Sequence, residues 1–286
     1  MGSRLVEAVT VSVIVAAKNA GSTISNCIDS VLEQKGCRVE LVIVDGLSDD
    51  STPALIESYG AAVSKYIRES DSGIYEAWNK ALSVAEGKWC TFLGADDWFC
   101  SETSLAELVG AAETTQEEPV LAFGGTVRVG NHDPYVIHPN PPNVREHLLR
   151  GKGIPIPSAI FLRSALESVG GFRAELKILG DLEALIQICK IGTVVRYDKE
   201  VAAMCTGGVS DQWRNQGLRN RERQSILGRE LGPLRALVRN VRHFAPEYVG
   251  RWVEGIAQTV LGRSFGSRLI VRVRRAIGKS PRMRHS

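Results

Sequence analysis

The sequence predicts an α/β fold with a mostly parallel central sheet flanked by helices, followed by a basic helical extension. Two strand-to-helix units in succession near the start predict the sheet, because both strands are apolar, β-branched runs of the kind buried on both faces. Uneven charge predicts the extension. Residues 1–210 hold 18 Lys and Arg against 27 Asp and Glu, whereas residues 211–286 hold 17 against 5, so a body of net −9 precedes a tail of net +12.

The first strand spans 9–17 and runs into the turn Lys18-Asn19-Ala20-Gly21. A helix follows, with its apolar face at Ile24, Cys27, Ile28, Val31 and Leu32. The second strand, 39–44, ends at Asp45-Gly46-Leu47; Thr52 is the expected N-cap and Pro53 the first residue of a helix over 53–59. Ile74, Ala77, Trp78, Ala81, Leu82 and Ala85 recur at helical spacing, and Gly87 stops that helix before a strand over 89–93. Beyond it the pattern loosens into a helix over 103–114, a strand over 119–129, a Pro-rich loop over 134–142 and a short strand near 159–162. Gly170-Gly171-Phe172 reads as a turn, and Leu182, Leu185, Ile186 and Cys189 mark a helix opening with Asp181. From about 211 the chain reads as helices on a basic background.

Composition narrows the function. Six cysteines without a CxxC pair or a close His read as reduced core residues, which favours a cytosolic compartment. The apolar N-terminal run has the length of a buried strand and lacks a cleavage signature, and no segment approaches 18 uninterrupted apolar residues, so neither a signal peptide nor a membrane span is expected. GxSxG, Walker and GxGxxG patterns are absent, which argues against hydrolase, P-loop and dinucleotide readings. His132 and His138 fit no metal spacing and read as solvated loop residues.

Asp45, Asp96 and Asp97 all lie just past the carboxyl ends of strands, where ligands collect in open α/β sheets. Alone, TFLGADDW would be a polar loop closing a strand. It is not alone: VSVIVAAKN, VDGLSDDST, DSGIYEAWNKAL, FLGADD and GDLEAL follow in one order over residues 9–210. Together they resemble the inverting glycosyltransferase family 2 with the GT-A fold, and within it bacterial enzymes of polysaccharide and glycolipid assembly, including mycobacterial phenolic-glycolipid types. The resemblance implies a GT-A domain over 1–210, with a nucleotide-binding half at about 9–100 and an acceptor half at 101–210, and leaves 211–286 as the basic helical tail.

It also implies roles. Asp96 matches the last acid of the family's DxD motif and is expected to hold Mg²⁺ or Mn²⁺; Gly94 replaces the first acid, and Asp97 is a supporting or capping acid. Asp45 is expected to accept from a pyrimidine imide N–H, with Gly46 where relatives carry a second Asp. Ala17, Lys18 and Asn19 lie along the base, Lys18 standing where an aromatic is usual. Asp71 is expected near base and ribose. Trp78 occupies an Arg position of many relatives and reads as core; Asn79 is expected to contact the donor or orient its loop, and Lys80 reads as a solvated face. Asp181, of the Gly180-Asp181 pair, is the expected catalytic base, with Glu183 secondary. Gly207-Gly208-Val209-Ser210 resembles a loop that closes over donor and acceptor.

The expected activity is transfer of a sugar from a nucleotide-diphosphate sugar to a hydroxyl of a glycan or glycolipid. Two rivals are a sugar nucleotidyltransferase, whose Gly-rich basic loop AAKNAGST lacks, and a non-catalytic nucleotide-sugar or membrane-binding module. The tail, with RLIVRVRRAIGK at 268–279, suits an anionic membrane surface. It has few aromatics and no nucleic-acid module, so no nucleic acid is expected. The expected location is cytoplasmic, peripheral on the inner face of the cell membrane.

Overall fold

The structure, a computed structural model, describes residues 10–130, 134–137, 141, 143–206 and 215–232. The start of the first strand, His132, His138, the 207–210 loop and most of the basic tail, including 268–279, lie outside the described residues. The chain divides into two units, Met1–Glu222 and Arg223–Ser286. The first holds the sheet; of the second, only the end of one helix and Gly232 are described.

Strand β1 (Val11–Ala17) lies at the middle of the parallel half, between β2 (Val39–Asp45) and β4 (Trp89–Gly94), and β2 in turn pairs in parallel with β3 (Lys65–Arg68). The sheet continues through β8 (Ala159–Leu162), which is antiparallel to both β4 and β6 (Leu121–Val129). Strand β9 (Val194–Cys205) pairs in parallel with β6, and the two-residue β5 (Trp98–Phe99) closes the order β3-β2-β1-β4-β8-β6-β9-β5. A further strand, β7 (Tyr135–Ile137), pairs with β6 inside the stretch expected to be a Pro-rich loop.

Both faces are covered, as continuous apolar strands require. Val11, Val13 and Val15 of β1 join Ile24, Cys27, Ile28 and Val31 of α1 (Ile24–Leu32) and Leu105 and Leu108 of α4 (Ser104–Glu113) in one core. On the opposite face Phe92, which pairs with Ile14, meets Trp78 of α3 (Ile74–Leu82) at 5.0 Å between ring centroids. Phe172 sits 5.0 Å from Trp78 and 4.8 Å from Phe92. Trp78 is therefore core, as its stripe predicted, though its indole N–H has no partner among the described residues.

Some local expectations need correction. The second helix, α2 (Thr52–Ser58), begins one residue early, with Ser51 at the cap position, because the Thr52 hydroxyl instead accepts the Ala20 N–H at 2.7 Å. Cys27 and Cys90 are buried, but Cys100 is exposed, at the end of the strand pair that β5 makes on the sheet's last edge. Leu32 closes the apolar stripe of α1 yet remains exposed. Helices α5 (Val144–Leu149), α6 (Arg163–Ser168), α7 (Gly180–Ile188) and α8 (Gln216–Leu231) are the remaining α-helices among the described residues. Among the described residues no helix is long and apolar enough to cross a membrane.

Candidate active site

Register brings the strand ends level. Ala17 lies beside Asp45, Ala16 beside Gly94, and Asp45 beside Arg68, so β3, β2, β1 and β4 terminate along one rim. The acids expected at Asp45 and Asp96 thus flank the end of β1, on the side where an open α/β sheet forms its crevice.

The loops leaving β1 and β2 are fastened to each other. Lys18 Nζ donates to the carbonyls of Gly46 at 2.6 Å and Leu47 at 2.8 Å. Asn19, held at φ 51°, donates its N–H to Ser48 Oγ and accepts the Asp49 N–H. Asp50 takes the Gly21 and Thr52 N–H groups through its two oxygens. Lys18 therefore does more than vacate an aromatic's place: its ammonium satisfies two carbonyls in a loop that also strains Leu47 to φ 61°.

Asp45 is fully buried. One oxygen takes the Ser48 N–H at 2.9 Å and the Ser48 hydroxyl; the other takes Arg68 Nε at 3.1 Å and the Tyr66 hydroxyl at 3.4 Å. Tyr66 responds with a phenol pushed up to about 12, first by burial and then by the Asp45 charge. An ionised carboxylate accepts about four hydrogen bonds, so a base N–H at Asp45 would have to replace one of these donors. The long Tyr66 contact is the weakest of them.

Asp71 approaches from the next loop and takes the Gly73 N–H at 3.0 Å. A Cβ on Gly46 would stand 2.6 Å from Asp71 Oδ2 and 3.5 Å from Lys18 Cδ. The glycine in place of a second Asp is thus what lets Asp71 and Lys18 close over the end of β2. Lys177 reaches the same loop, donating to Ser72 O at 2.6 Å and so joining it to the segment before α7. Asn79 lies on α3, and its amide donates to Phe172 O at 2.6 Å and accepts the Phe172 N–H at 2.9 Å, which ties that helix to the turn at Gly170-Gly171-Phe172. Lys80 is taken by Glu69, Glu76 and Ser70 O.

At β4, Gly94 and Asp97 close a turn, the Asp97 N–H donating to Gly94 O and Asp97 Oδ2 taking the Gly94 N–H at 2.9 Å. Asp97 is buried, and burial pushes its carboxyl up to about 7; the Asp96 charge adds to this, while the Gly94 and Cys205 N–H groups and the Arg128 charge oppose it. Asp96 is half-buried and, among the described residues, its carboxylate has no hydrogen-bond or ion-pair partner.

Asp181 stands in the first turn of α7. Its Oδ1 accepts the Tyr75 hydroxyl at 3.1 Å and the Leu182 N–H at 2.8 Å. Burial raises its carboxyl above the ordinary range, against the pull of the Leu182 N–H, the Tyr75 hydroxyl and the Arg219 charge. Asp181 is not the cap of this helix, since Leu179 holds that position. Glu183 is tied to Arg173 at 2.7 Å. Gly180 is obligatory: a Cβ there would lie 2.7 to 2.9 Å from the Tyr75 ring.

The structure therefore brings Lys18 and Asp71 together over Gly46, next to Asp45, links Asp181 to α3 through Tyr75, and places Asp96 across the end of β1. Tyr75, Tyr66 and Arg68 were not singled out from the sequence. Tyr75 lies within DSGIYEAWN, and a polar tip on an otherwise apolar helix face was the available signal; Arg68 offered none.

The family model described as Glycosyl transferase family 2 matches residues 12–169. A PGL/p-HBAD biosynthesis glycosyltransferase of Mycobacterium tuberculosis is 27% identical over 214 residues, covering 70% of this chain and 78% of that protein. The succinoglycan biosynthesis protein ExoO of Rhizobium meliloti is 38% identical over 88 residues, 30% of this chain and 25% of its own. Among solved structures, S. aureus TarS (residues 1–349) in complex with UDP-GlcNAc superposes with a TM-score of 0.61 at 15% identity, covering 97% of this chain and 94% of that one. The fold is GT-A, and this chain belongs to glycosyl transferase family 2.

Proposed function

We propose that this glycosyltransferase works with inversion and metal assistance, moving a hexose from a nucleoside-diphosphate sugar to a hydroxyl of a glycan or glycolipid acceptor. The observation that carries the reading is Asp181: a carboxylate whose proton affinity burial has raised, aimed by Tyr75, at the start of a helix. In this reading Asp181 takes the acceptor's hydroxyl proton as that oxygen attacks the anomeric carbon. The bond to the diphosphate breaks on the opposite face, and the diphosphate leaves with the electron pair. A base placed this way contributes typically 10²–10⁴-fold. Asp45 and Asp71, with Ala17, Lys18 and Asn19 shaping the floor, hold the nucleoside.

Asp96 suits a hard divalent cation. Asp96 lacks a partner among the described residues, and its charge helps push its neighbour's carboxyl to about 7. No group of three or more His, Cys, Asp and Glu that could hold an ion occurs among the described residues, so Mg²⁺ or Mn²⁺ would be held by Asp96 together with donor phosphates and water. When bound it would neutralise charge on the departing diphosphate. A Pyrobaculum calidifontis mannosyltransferase, PcManGT, solved with GDP-Man and Mn²⁺, superposes with a TM-score of 0.55 at 19% identity.

A lipid-linked acceptor at the inner membrane face fits the PGL/p-HBAD relatives and the tail's charge of +12. The deciding experiment is turnover of a panel of UDP, GDP and dTDP sugars by wild type and Asp181→Asn, with and without EDTA, reading product configuration by NMR. Loss of turnover in Asp181→Asn and in EDTA, with inverted product, supports the reading; retained configuration refutes it.

A further inference from the structure

The backbone that carries Asp181 is not capped by its own residues. Helix α7 begins with Leu179 at the cap position and no side-chain cap there. The three N–H groups before it, of Lys177, Ile178 and Leu179, all point to one buried carboxylate: Glu222 Oε1 takes Lys177 N at 2.7 Å, and Oε2 takes Ile178 N at 3.0 Å and Leu179 N at 2.9 Å. Glu222 lies on α8, more than forty residues downstream. A carboxylate receiving consecutive N–H groups at a helix N-terminus sits where the helix dipole favours negative charge.

Two further contacts give this clamp a reach into the site. Lys177, whose N–H Glu222 holds, extends its ammonium to Ser72 O in the loop of Asp71. Arg219 lies one turn before Glu222 on the same face of α8, and its charge acts on Asp181. The groups that face Asp181 are thus Tyr75 from α3, the Leu182 N–H of α7 and Arg219 from α8.

We infer that Glu222 is a positioning residue for the transfer reaction, holding the 177–179 backbone so that Asp181 faces the acceptor while Lys177 keeps the Asp71 loop in place. This rests on the reading of Asp181 as the base. A Gln at 222 keeps one acceptor oxygen and turns an NH₂ toward N–H groups, so the clamp loosens without a change of size. Water then reaches Asp181, and its raised proton affinity relaxes toward the ordinary carboxylate value.

The test uses the full chain as wild type, Glu222→Gln, Asp181→Asn and the double variant. Glu222→Gln is expected to lower kcat by about tenfold or more, leave donor KM within about threefold, and move the acid limb of kcat to lower pH, because misplacement of a reacting group is felt in kcat. Amide exchange of 177–179 should quicken while α3 keeps its protection. In the Asp181→Asn background the same change should cost nothing further, since the group it positions is gone. Unchanged kcat and acid limb in Glu222→Gln overturn the inference, as does a full additional loss in the double variant, which marks general damage. Full turnover by Asp181→Asn alone instead overturns the base reading. Should Glu222→Gln fail to fold, Glu222→Asp, which keeps the charge and shortens the reach, is read by the same measurements.

Discussion

The Tyr75 hydroxyl donates to Asp181 Oδ1 across 3.1 Å, tying α3 to the first turn of α7. Tyr75 is buried, stacks on Phe172 at 5.9 Å and meets Trp78 edge-on at 5.5 Å, so its ring has little freedom to follow a moving carboxylate. Burial and the Asp181 charge hold its phenol well above the ordinary value, and it remains a donor through the working pH range. In Tyr75→Phe the carboxylate loses a hydrogen bond that favours its charged form, so its proton affinity rises further. The acid limb of the kcat profile should move to higher pH, with kcat down by about tenfold, the worth of one hydrogen bond to a charged group. A pH–rate profile decides; an unmoved limb means that Tyr75 only fills space.

Gly180 tests the same contact from the backbone. The 2.7 to 2.9 Å approach of its missing Cβ to the Tyr75 ring leaves no room for a methyl, and the ring cannot yield without disturbing Trp78 and Phe172. Gly180→Ala should cost about 1–3 kcal/mol in urea denaturation, as overpacking usually does. It should also lower kcat, because the displaced Tyr75 takes its hydroxyl from Asp181. A variant as stable and as active as wild type would place slack in this corner that the geometry denies.

Removing the charge of Asp181 should separate activity from stability. Its carboxyl has a raised proton affinity in the folded state, so that group's contribution is full at pH below the unfolded value and is lost as pH rises through the folded one. Asp181→Asn keeps an oxygen for Tyr75 and Leu182 and removes this pH-dependent loss. The variant should be at least as stable as wild type near pH 7 while losing about 10² or more in kcat. Thermal denaturation at pH 5 and pH 8 checks the sign: wild type should lose ground to the variant at the higher pH.

Arg68 and Asp45 show how exposure tempers an ion pair. Breaking a fully buried pair costs about 3–5 kcal/mol. Arg68's side chain is 46% exposed while Asp45 is 0% exposed, and Asp45 keeps Ser48 and Tyr66 as donors. Screening at the Arg68 end therefore brings the expected cost of Arg68→Ala to about 1–2 kcal/mol. Donor KM should rise with it, since the loop that frames Asp45 loses the Arg68 contact to Ser48 O. A change confined to stability, with donor KM untouched, would detach Asp45 from donor binding.

The parts of this site that rest on local pattern were legible. Val11–Ala17, Val39–Asp45 and Trp89–Gly94 are apolar, β-branched or aromatic runs bounded by turn residues, and their ends carry Asp45 and Asp96. Strand Val194–Cys205 was not legible, because Asp198-Lys199-Glu200 interrupts its apolar pattern and it is held by pairing with β6 rather than by its own propensity. Nor were the contacts that give the loops their shape. Lys18 bonds to Gly46 O, Tyr75 to Asp181 and Glu222 to Leu179 N across 28, 106 and 43 residues, and periodicity carries no information at those separations. Lys18 in particular read as the loss of an aromatic; only the fold supplies the two carbonyls that explain a cation there.

Gly94 offers the most direct check on the metal-site reading. It stands where the DxD motif has its first acid, so restoring that acid looks like a repair. The geometry says otherwise. A Cβ at Gly94 would stand 2.8 Å from Asp96 Oδ1 and 3.0 Å from Asp97 Oδ2, so any side chain displaces the acid assigned to the cation. Gly94→Asp would also place a third carboxylate beside Asp97, which burial and Asp96 already push to about 7. Like charges that close raise one another's proton affinity, and a protonated acid is a poor ligand for a hard ion. Gly94→Ala should therefore raise the Mn²⁺ concentration for half-maximal turnover by roughly tenfold through displacement alone. Gly94→Asp should be worse near pH 6, where its added acid is partly protonated, and recover part of the difference at pH 8. If Gly94→Asp instead binds Mn²⁺ more tightly than wild type, Asp96 is not held where the cation needs it.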